Sequence, residues 1–251
     1  MSVPSTTTVY FITGANRGIG YGLTERLAAR PDTLVFATAR DPSKADKLQQ
    51  LAKQHSNLRV VKLSVDSDED HATAAMQVEA EAGRVDVVIA NAGIANMDSY
   101  VPIEHLAINK LREHFEVNTV GPVRLFSALF SLLNRSLSPK FVVVSSAAGS
   151  IGAQSNLASW HLGVYGTSKA ALNFLTQRIH LEHPNITAFP LSPAWVQTDM
   201  GNAGAVAIGL KEAPMTLEQC VTDMTKLVDE ATRDTHSGRF WSAESGKELP
   251  W

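Results

Sequence analysis

The chain has 251 residues, 44% of them hydrophobic and 19% charged, a balance that describes a globule with a real core and excludes a disordered segment. Its 22 basic residues are scattered among 25 acidic ones for a formal charge of −3, and no Lys/Arg-rich run exists to neutralise phosphates, so no nucleic-acid partner is expected. The Met1 to Thr8 start lacks the basic and apolar regions of a secretory signal, apolar runs fall far short of the roughly 20 residues that span a bilayer, and the lone Cys220 permits no internal disulfide or Cys/His metal site; a cytoplasmic protein without metal or membrane partner is the expectation.

Taken in chain order, apolar and β-branched runs at 9–12, 34–37, 58–63, 85–90, 141–144, 186–191 and, more weakly, 239–241 read as strands buried on both faces. Helical patterning fills the intervals at 20–30, 43–54, 68–82, 103–133, 165–181 and 217–230. This alternation predicts an α/β fold: a doubly wound parallel sheet of about seven strands, of Rossmann type, in a single domain over 1–251. Segments 149–164 and 198–214 fit neither pattern. Both follow strands at their carboxyl ends, where open α/β sheets place ligands, so they are candidate substrate walls.

The first strand runs into Thr13-Gly14-Ala15-Asn16-Arg17-Gly18-Ile19-Gly20, and a helix follows. Glycines there permit a tight turn, close approach of backbone to a pyrophosphate and close helix packing, while the helix N-terminus receives the negative charge. The second strand ends Ala37-Thr38-Ala39-Arg40-Asp41. An acid in the place of Ala39 would bind the ribose hydroxyls of NAD and repel the extra phosphate of NADP. Arg40 and Arg17 instead offer forked donors to that phosphate, which points to NADP(H).

Tyr165 and Lys169 lie four apart, so on a helix they share a face. A free tyrosine titrates at about 10, too high for ready proton exchange near neutrality, and an adjacent ammonium favours the phenolate. The eight histidines form no ligand set; His180 and His183, three apart near a helix end, read as a solvated terminus as easily as anything else. His161, Trp160, Trp195, Met200 and Met215 could wall a pocket for an aromatic or polyketide-like ketone, although core packing explains each apolar one equally well. Cys220 reads as a small helix residue.

With the glycine turn come Asn91-Ala92-Gly93 after the fourth strand, Asn118 in the long helix, Ser145-Ser146 after the fifth strand, Tyr165 to Lys169, and Pro193 to Thr198 after the sixth. In this order the motifs resemble the short-chain dehydrogenase/reductase family over nearly the whole chain. Val196 to Met200, Ser237 to Trp241 and Leu249-Pro250-Trp251 are similar to the branch that holds fungal norsolorinic acid ketoreductases and, more broadly, the sniffer-type carbonyl reductases.

The resemblance implies an NADP(H)-dependent oxidoreductase that interconverts a ketone or aldehyde and an alcohol, assembled as a homodimer or homotetramer. It implies Tyr165 as proton donor, Lys169 also holding the nicotinamide ribose, Ser146 bonding the substrate oxygen with Ser145 as its competitor, and Asn118 holding a water beside the lysine. Implied cofactor contacts are Gly14, Asn16, Arg17, Gly18, Ile19, Gly20 and Arg40, then Asn91, Ala92 and Gly93, then Val196 and Thr198. Ser64 and Val65 occupy the stretch where the family places an acid against adenine, with Asp66 next. Two departures stand out: Ala194, where Gly is usual, and a long interval from Ser146 to Tyr165, which means either a bulging loop or the wrong serine. Two competing readings are a catalytically silent cofactor-sensing protein, which would not need Ser146, Tyr165 and Lys169 intact, and a nucleotide-sugar epimerase or dehydratase, for which sequence beyond Trp251 is expected.

Overall fold

Val9 and Phe11 of the first strand pack into one apolar core and Tyr10 and Ile12 into another, because successive strand side chains face opposite ways. The computed structural model describes residues 3, 4 and 6–251; Met1, Ser2 and Ser5, part of the start read above as leaderless, lie outside the described residues. Strands β1 (Thr8–Ile12), β2 (Thr33–Ala39), β3 (Leu58–Lys62), β4 (Val87–Ala90), β5 (Lys140–Val144), β6 (Thr187–Ser192), β7 (Phe240–Ser242) and β8 (Lys247–Leu249) form one sheet in the order β3-β2-β1-β4-β5-β6-β7-β8. Every pairing is parallel except β7 with β8. The order reverses at β1 and β4, which opens a crevice at the strands' carboxyl ends. Only β8 exceeds the expected set of strands, and its Lys247-Glu248-Leu249 carries no apolar run to announce it.

Helices cover both faces. Leu23 and Leu27 of α1 (Gly18–Ala28), Leu48 and Leu51 of α2 (Asp46–Gln54) and Val221 and Met224 of α8 (Leu217–Glu230) fill the core around Tyr10 and Ile12. Val78 of α3 (Asp68–Ala82), Leu125 and Leu129 of α5 (Gly121–Leu133) and Leu172 of α6 (Gly163–Glu182) fill the core around Val9 and Phe11. Each leucine so buried stabilises the fold by roughly 2 kcal/mol. α3 has the boundaries read from sequence because its ends are marked: Ser67 caps the Asp70 amide, three acids follow in the first turn, and Gly83 ends the helix at φ +73°.

Two expectations are corrected. Segment 103–133 is a short 3-10 turn (Ile103–His105), α4 (Ile108–Phe115), a π turn (Glu116–Val120) and α5, not one helix. Apolar periodicity passes over a one-residue insertion, but Pro122 has no N–H to give the Asn118 carbonyl four residues back, so a regular α-helix could not run through. Segment 198–214 contains α7 (Asp199–Ala207), disguised by its glycines; a Cβ on Gly201 would lie 2.0 Å from the Val196 carbonyl oxygen. His180 and His183 are half-buried: His180 Nδ1 lies 2.8 Å from Ser237 Oγ, and the His183 ring sits 5.3 and 4.8 Å from those of Phe126 and Phe130. Cys220 is a core residue of α8, its thiol pushed up to about 12 by burial. Among the described residues no helix is long and apolar enough to cross a membrane.

Candidate active site

The glycine turn closes over the carboxyl end of β1. Gly14 takes a left-handed φ of +65°, which costs a residue with a side chain about 1–2 kcal/mol. A Cβ on Gly20 would stand 2.3 Å from the Gly14 carbonyl oxygen. Asn91 Nδ2 donates to the Thr13 and Gly14 carbonyls at 2.9 and 3.2 Å, and the Ala92 amide donates to Thr13 Oγ1 at 2.9 Å. Asn91 therefore clamps the turn from below, and Gly93 continues the same floor. α1 starts without a side-chain cap and without an acid in its first turn, whereas α3, α7 and α8 are capped by Ser67, Thr198 and Thr216. Its first N–H groups thus remain open to an anion, and the turn fits a dinucleotide pyrophosphate.

Charge around the turn is unevenly committed. Arg17 Nη1 lies 3.4 Å from Asp199 Oδ2 at the start of α7, with both side chains exposed. Arg40, at the end of β2, is exposed and has no ion-pair partner among the described residues. Asn16 is exposed beside it in the turn, while Ile19 packs against the core. The Ser64 hydroxyl donates to Asp66, and its amide donates to Asp70 Oδ2 at 2.9 Å. That hydroxyl holds the Asp66 carboxyl below its usual range, with Arg40 as a lesser cause. Val65 lies against Gly121, where a Cβ would meet its own at 3.0 Å.

At the end of β5 the two serines part company. Ser145 is 2% exposed and donates to Asn173 Oδ1 at 2.6 Å. Ser146 accepts from the Ala148 amide at 3.2 Å and faces the Tyr165 hydroxyl. Burial raises the Tyr165 phenol, the Tyr100 hydroxyl raises it further, and the nearby Ser146 hydroxyl pulls it down. Lys169 shares the helix face as its spacing requires, yet its Nζ lies over the Tyr165 ring, 5.8 Å from the centroid, and donates to the Val144 carbonyl at 2.8 Å. Burial lowers Lys169 from 10.5 to about 8. Tyr100, on the loop after β4, was missed at the sequence level; its place beyond a strand's carboxyl end was the only signal.

Asn118 sits in the π turn. Its Oδ1 accepts from the Ile94 amide at 2.8 Å, and its Nδ2 donates to the Ile94 carbonyl at 2.9 Å and to Ser168 Oγ at 3.0 Å. The carboxamide anchors the loop after β4, and Pro122 leaves the Asn118 backbone carbonyl without an α-helical donor. A Cβ on Gly93 would be 3.0 Å from Asn118 Oδ1 and 3.5 Å from Lys169 Nζ, which marks where the three converge.

The long interval between Ser146 and Tyr165 is a bulge. Gly149 lies on the backbone of α6, where a Cβ would be 2.7 Å from the Lys169 carbonyl carbon. The chain then swings out through a 3-10 turn (Gln154–Leu157) and returns with Trp160 edge-on to Trp195, ring centroids 5.4 Å apart at 85°. His161 and Met200 are exposed, and Met215 packs toward the core while its amide pairs with the Trp195 carbonyl at 3.1 Å. Val196 is buried, and Thr198 caps α7 by accepting from the Gly201 amide at 3.1 Å. A Cβ on Gly18 would stand 3.4 Å from Thr198 Cγ2, so Thr198 borders the glycine turn. Ala194 adopts φ +74°, the one non-glycine with positive φ among the described residues.

The family model for short chain dehydrogenase matches residues 8–205. The norsolorinic acid ketoreductase nor1 of Dothistroma septosporum is 38% identical over 250 residues, which cover 97% of this chain and 92% of that protein. The NADPH-bound carbonyl reductase from chicken fatty liver has a TM-score of 0.87 at 32% identity, covering 98% of this chain and 99% of that one. The carbonyl reductase Sniffer of D. melanogaster has a TM-score of 0.85 at 27% identity, covering 98% of this chain and 100% of that one.

Proposed function

The chain belongs to the short chain dehydrogenase family, and we propose that within it the protein is an NADP(H)-dependent carbonyl reductase, taking an aromatic or polyketide-like ketone or aldehyde to its alcohol or the reverse. The observation that carries this reading is the meeting of Ser146, Tyr165 and Lys169 beside an open helix N-terminus. The turn from Gly14 to Gly20 and the first amides of α1 hold the pyrophosphate, with Asn91, Ala92 and Gly93 beneath. Arg40 and Arg17 hold the extra phosphate. Ser64 and Val65 border the adenine, Val196 and Thr198 the carboxamide and pyrophosphate, and Tyr165 and Lys169 the nicotinamide ribose.

When bound, NADPH supplies a hydride to the carbonyl carbon. Ser146 donates a hydrogen bond to the carbonyl oxygen and stabilises charge as it develops there. Burial keeps Tyr165 protonated through neutral pH, so its hydroxyl gives the proton to the same oxygen. Lys169, with a water at the Asn118 backbone carbonyl, restores that proton. The edge-on Trp160 and Trp195 rings, one within 149–164 and the other just ahead of 198–214, suit a flat aromatic substrate. Exposed Phe174 and Leu181, on one face of α6, support a homodimer or homotetramer. A single-domain, cytoplasmic enzyme completes the reading.

The test is loss of NADPH absorbance across aryl ketones, quinones and polyketide-like ketones. Turnover is expected with at least one class, and Tyr165→Phe is expected to abolish it while NADPH still binds. Tight NADPH binding with no turnover on any ketone would support the silent sensor instead. Neutral replacements of Arg17 and Arg40 should weaken NADPH more than NADH, and equal losses would refute the cofactor assignment.

A further inference from the structure

The ending Leu249-Pro250-Trp251 has no part in the chemistry above, yet it reaches the loop that carries the catalytic serine. Beyond β8 the Pro250 carbonyl accepts from Ser150 Oγ at 2.6 Å, and the Trp251 carbonyl accepts from the Gly152 amide at 2.6 Å. Ser150 is 1% exposed although it belongs to the bulge. A Cβ on Gly152 would stand 3.1 Å from both Pro250 Cβ and the Trp251 oxygen, so the two segments touch along their backbones. The Trp251 ring lies 6.1 Å from that of Phe240 in β7, which ties the ending to the sheet.

From Ser150 the contacts continue to the site. Gln154 Nε2 bridges the Ser150 carbonyl at 2.7 Å and the Ala148 carbonyl at 3.0 Å. The Ala148 amide in turn donates to Ser146 Oγ at 3.2 Å, occupying a lone pair and leaving the serine proton free to face Tyr165. On the other side Asn173 Nδ2 donates to the Gly149 carbonyl at 3.3 Å. Residues 147–152 are therefore gripped between α6 and the chain's last two residues.

We propose that Pro250 and Trp251 form a strap that positions the Ser146 loop, with Ser150 as the residue through which it acts. The inference rests on the carbonyl-reductase reading for its kinetic consequence. A loose strap leaves the glycine turn untouched but lets Ser146 and the Trp160 wall drift, so it costs transition-state contacts to the ketone rather than cofactor binding. Misplacement of about 1 Å costs up to about a hundredfold in rate.

The experiment compares the parent with a chain ending at Leu249, with Ser150→Ala and with Ser150→Thr, which keeps the hydroxyl. Ketone kcat and KM, NADPH Kd, Tm and hydrogen exchange at 147–157 are measured. The shortened chain and Ser150→Ala are expected to lose about tenfold or more in ketone kcat/KM, mainly through kcat. Their NADPH Kd stays within about twofold, amides at 147–157 exchange faster, and Ser150→Thr restores most of the rate. A lower Tm with kcat and KM unchanged overturns the proposal, because the ending is then only a folding anchor. Loss of NADPH binding in parallel with rate also overturns it. If the shortened chain fails to fold, the Ser150 pair decides. If the parent reduces no ketone, the carbonyl-reductase reading fails by itself, and unchanged exchange at 147–157 in Ser150→Ala or the shortened chain then overturns the strap.

Discussion

Lys169 Nζ rests above the ring of Tyr165, 5.8 Å from its centroid, and its one hydrogen bond among the described residues goes to the Val144 carbonyl at 2.8 Å. One carbonyl and a ring face compensate poorly for a cation that is 4% exposed.

Lys169→Met is therefore expected to abolish turnover and raise Tm. Burial draws the lysine from 10.5 to about 8. At about 1.4 kcal/mol per unit the charge costs the fold up to about 3 kcal/mol. The folded state binds fewer protons than the unfolded state between those two values, so parental stability rises with pH across that window and the penalty is full below it. Denaturant melts at pH 7 and pH 10 check this: the variant's advantage should be larger at pH 7. A variant no more stable than the parent at pH 7 contradicts the account.

The serines separate by measurement. Ser146→Ala removes the group facing Tyr165 and is expected to lower kcat roughly 10²–10³-fold with Tm little changed. Ser145→Ala strands Asn173 Oδ1 in the interior and is expected to cost about 1–3 kcal/mol with kcat nearly retained. Ketone assays and thermal melts on both proteins decide, and the reverse pattern would exchange their roles.

Asp199 pairs with Arg17, the residue proposed to hold the extra phosphate of the cofactor. Asp199→Asn frees the guanidinium and removes a repelling charge. An exposed pair contributes roughly 0–1 kcal/mol, so NADPH is expected to bind up to about fivefold tighter while NADH is unaffected. Titrations with both cofactors at low salt test this, and an equal change for both would show that Arg17 does not meet the phosphate.

Ala194→Gly relieves a left-handed alanine. The conformation costs about 1–2 kcal/mol, and glycine's greater freedom in the unfolded chain returns roughly 0.5–1 of that. A net gain of about 0.5–1 kcal/mol in denaturant unfolding is expected, and a loss would mean that the methyl group packs productively.

What could be read from the residues alone depended on how local the cause was. β1 to β7 and both cores follow from apolar runs, and α3 from Ser67 and Gly83, because those signals act within a few residues. Ser145 and Ser146 could not be told apart: the deciding partner, Asn173, lies 28 residues away. The anchoring of Asn118 to Ile94 across the crevice had no local signal, because the two lie 24 residues apart. α7 was hidden because Gly201 answers to the Val196 carbonyl rather than to helix propensity. The ending drew notice as a motif, but only tertiary contact says what it touches.

The π turn at Glu116–Val120 works as a surplus residue inside a rod. A helix advances about 100° per residue, so deleting one position there would straighten the rod and swing Asn118 away from Ile94 or α4 out of its seat. Point substitutions can be absorbed side chain by side chain, but a change of length cannot. The residue count between Phe115 and Pro122 is thus fixed by the contacts at both ends of the rod, a constraint on length that no single side chain carries.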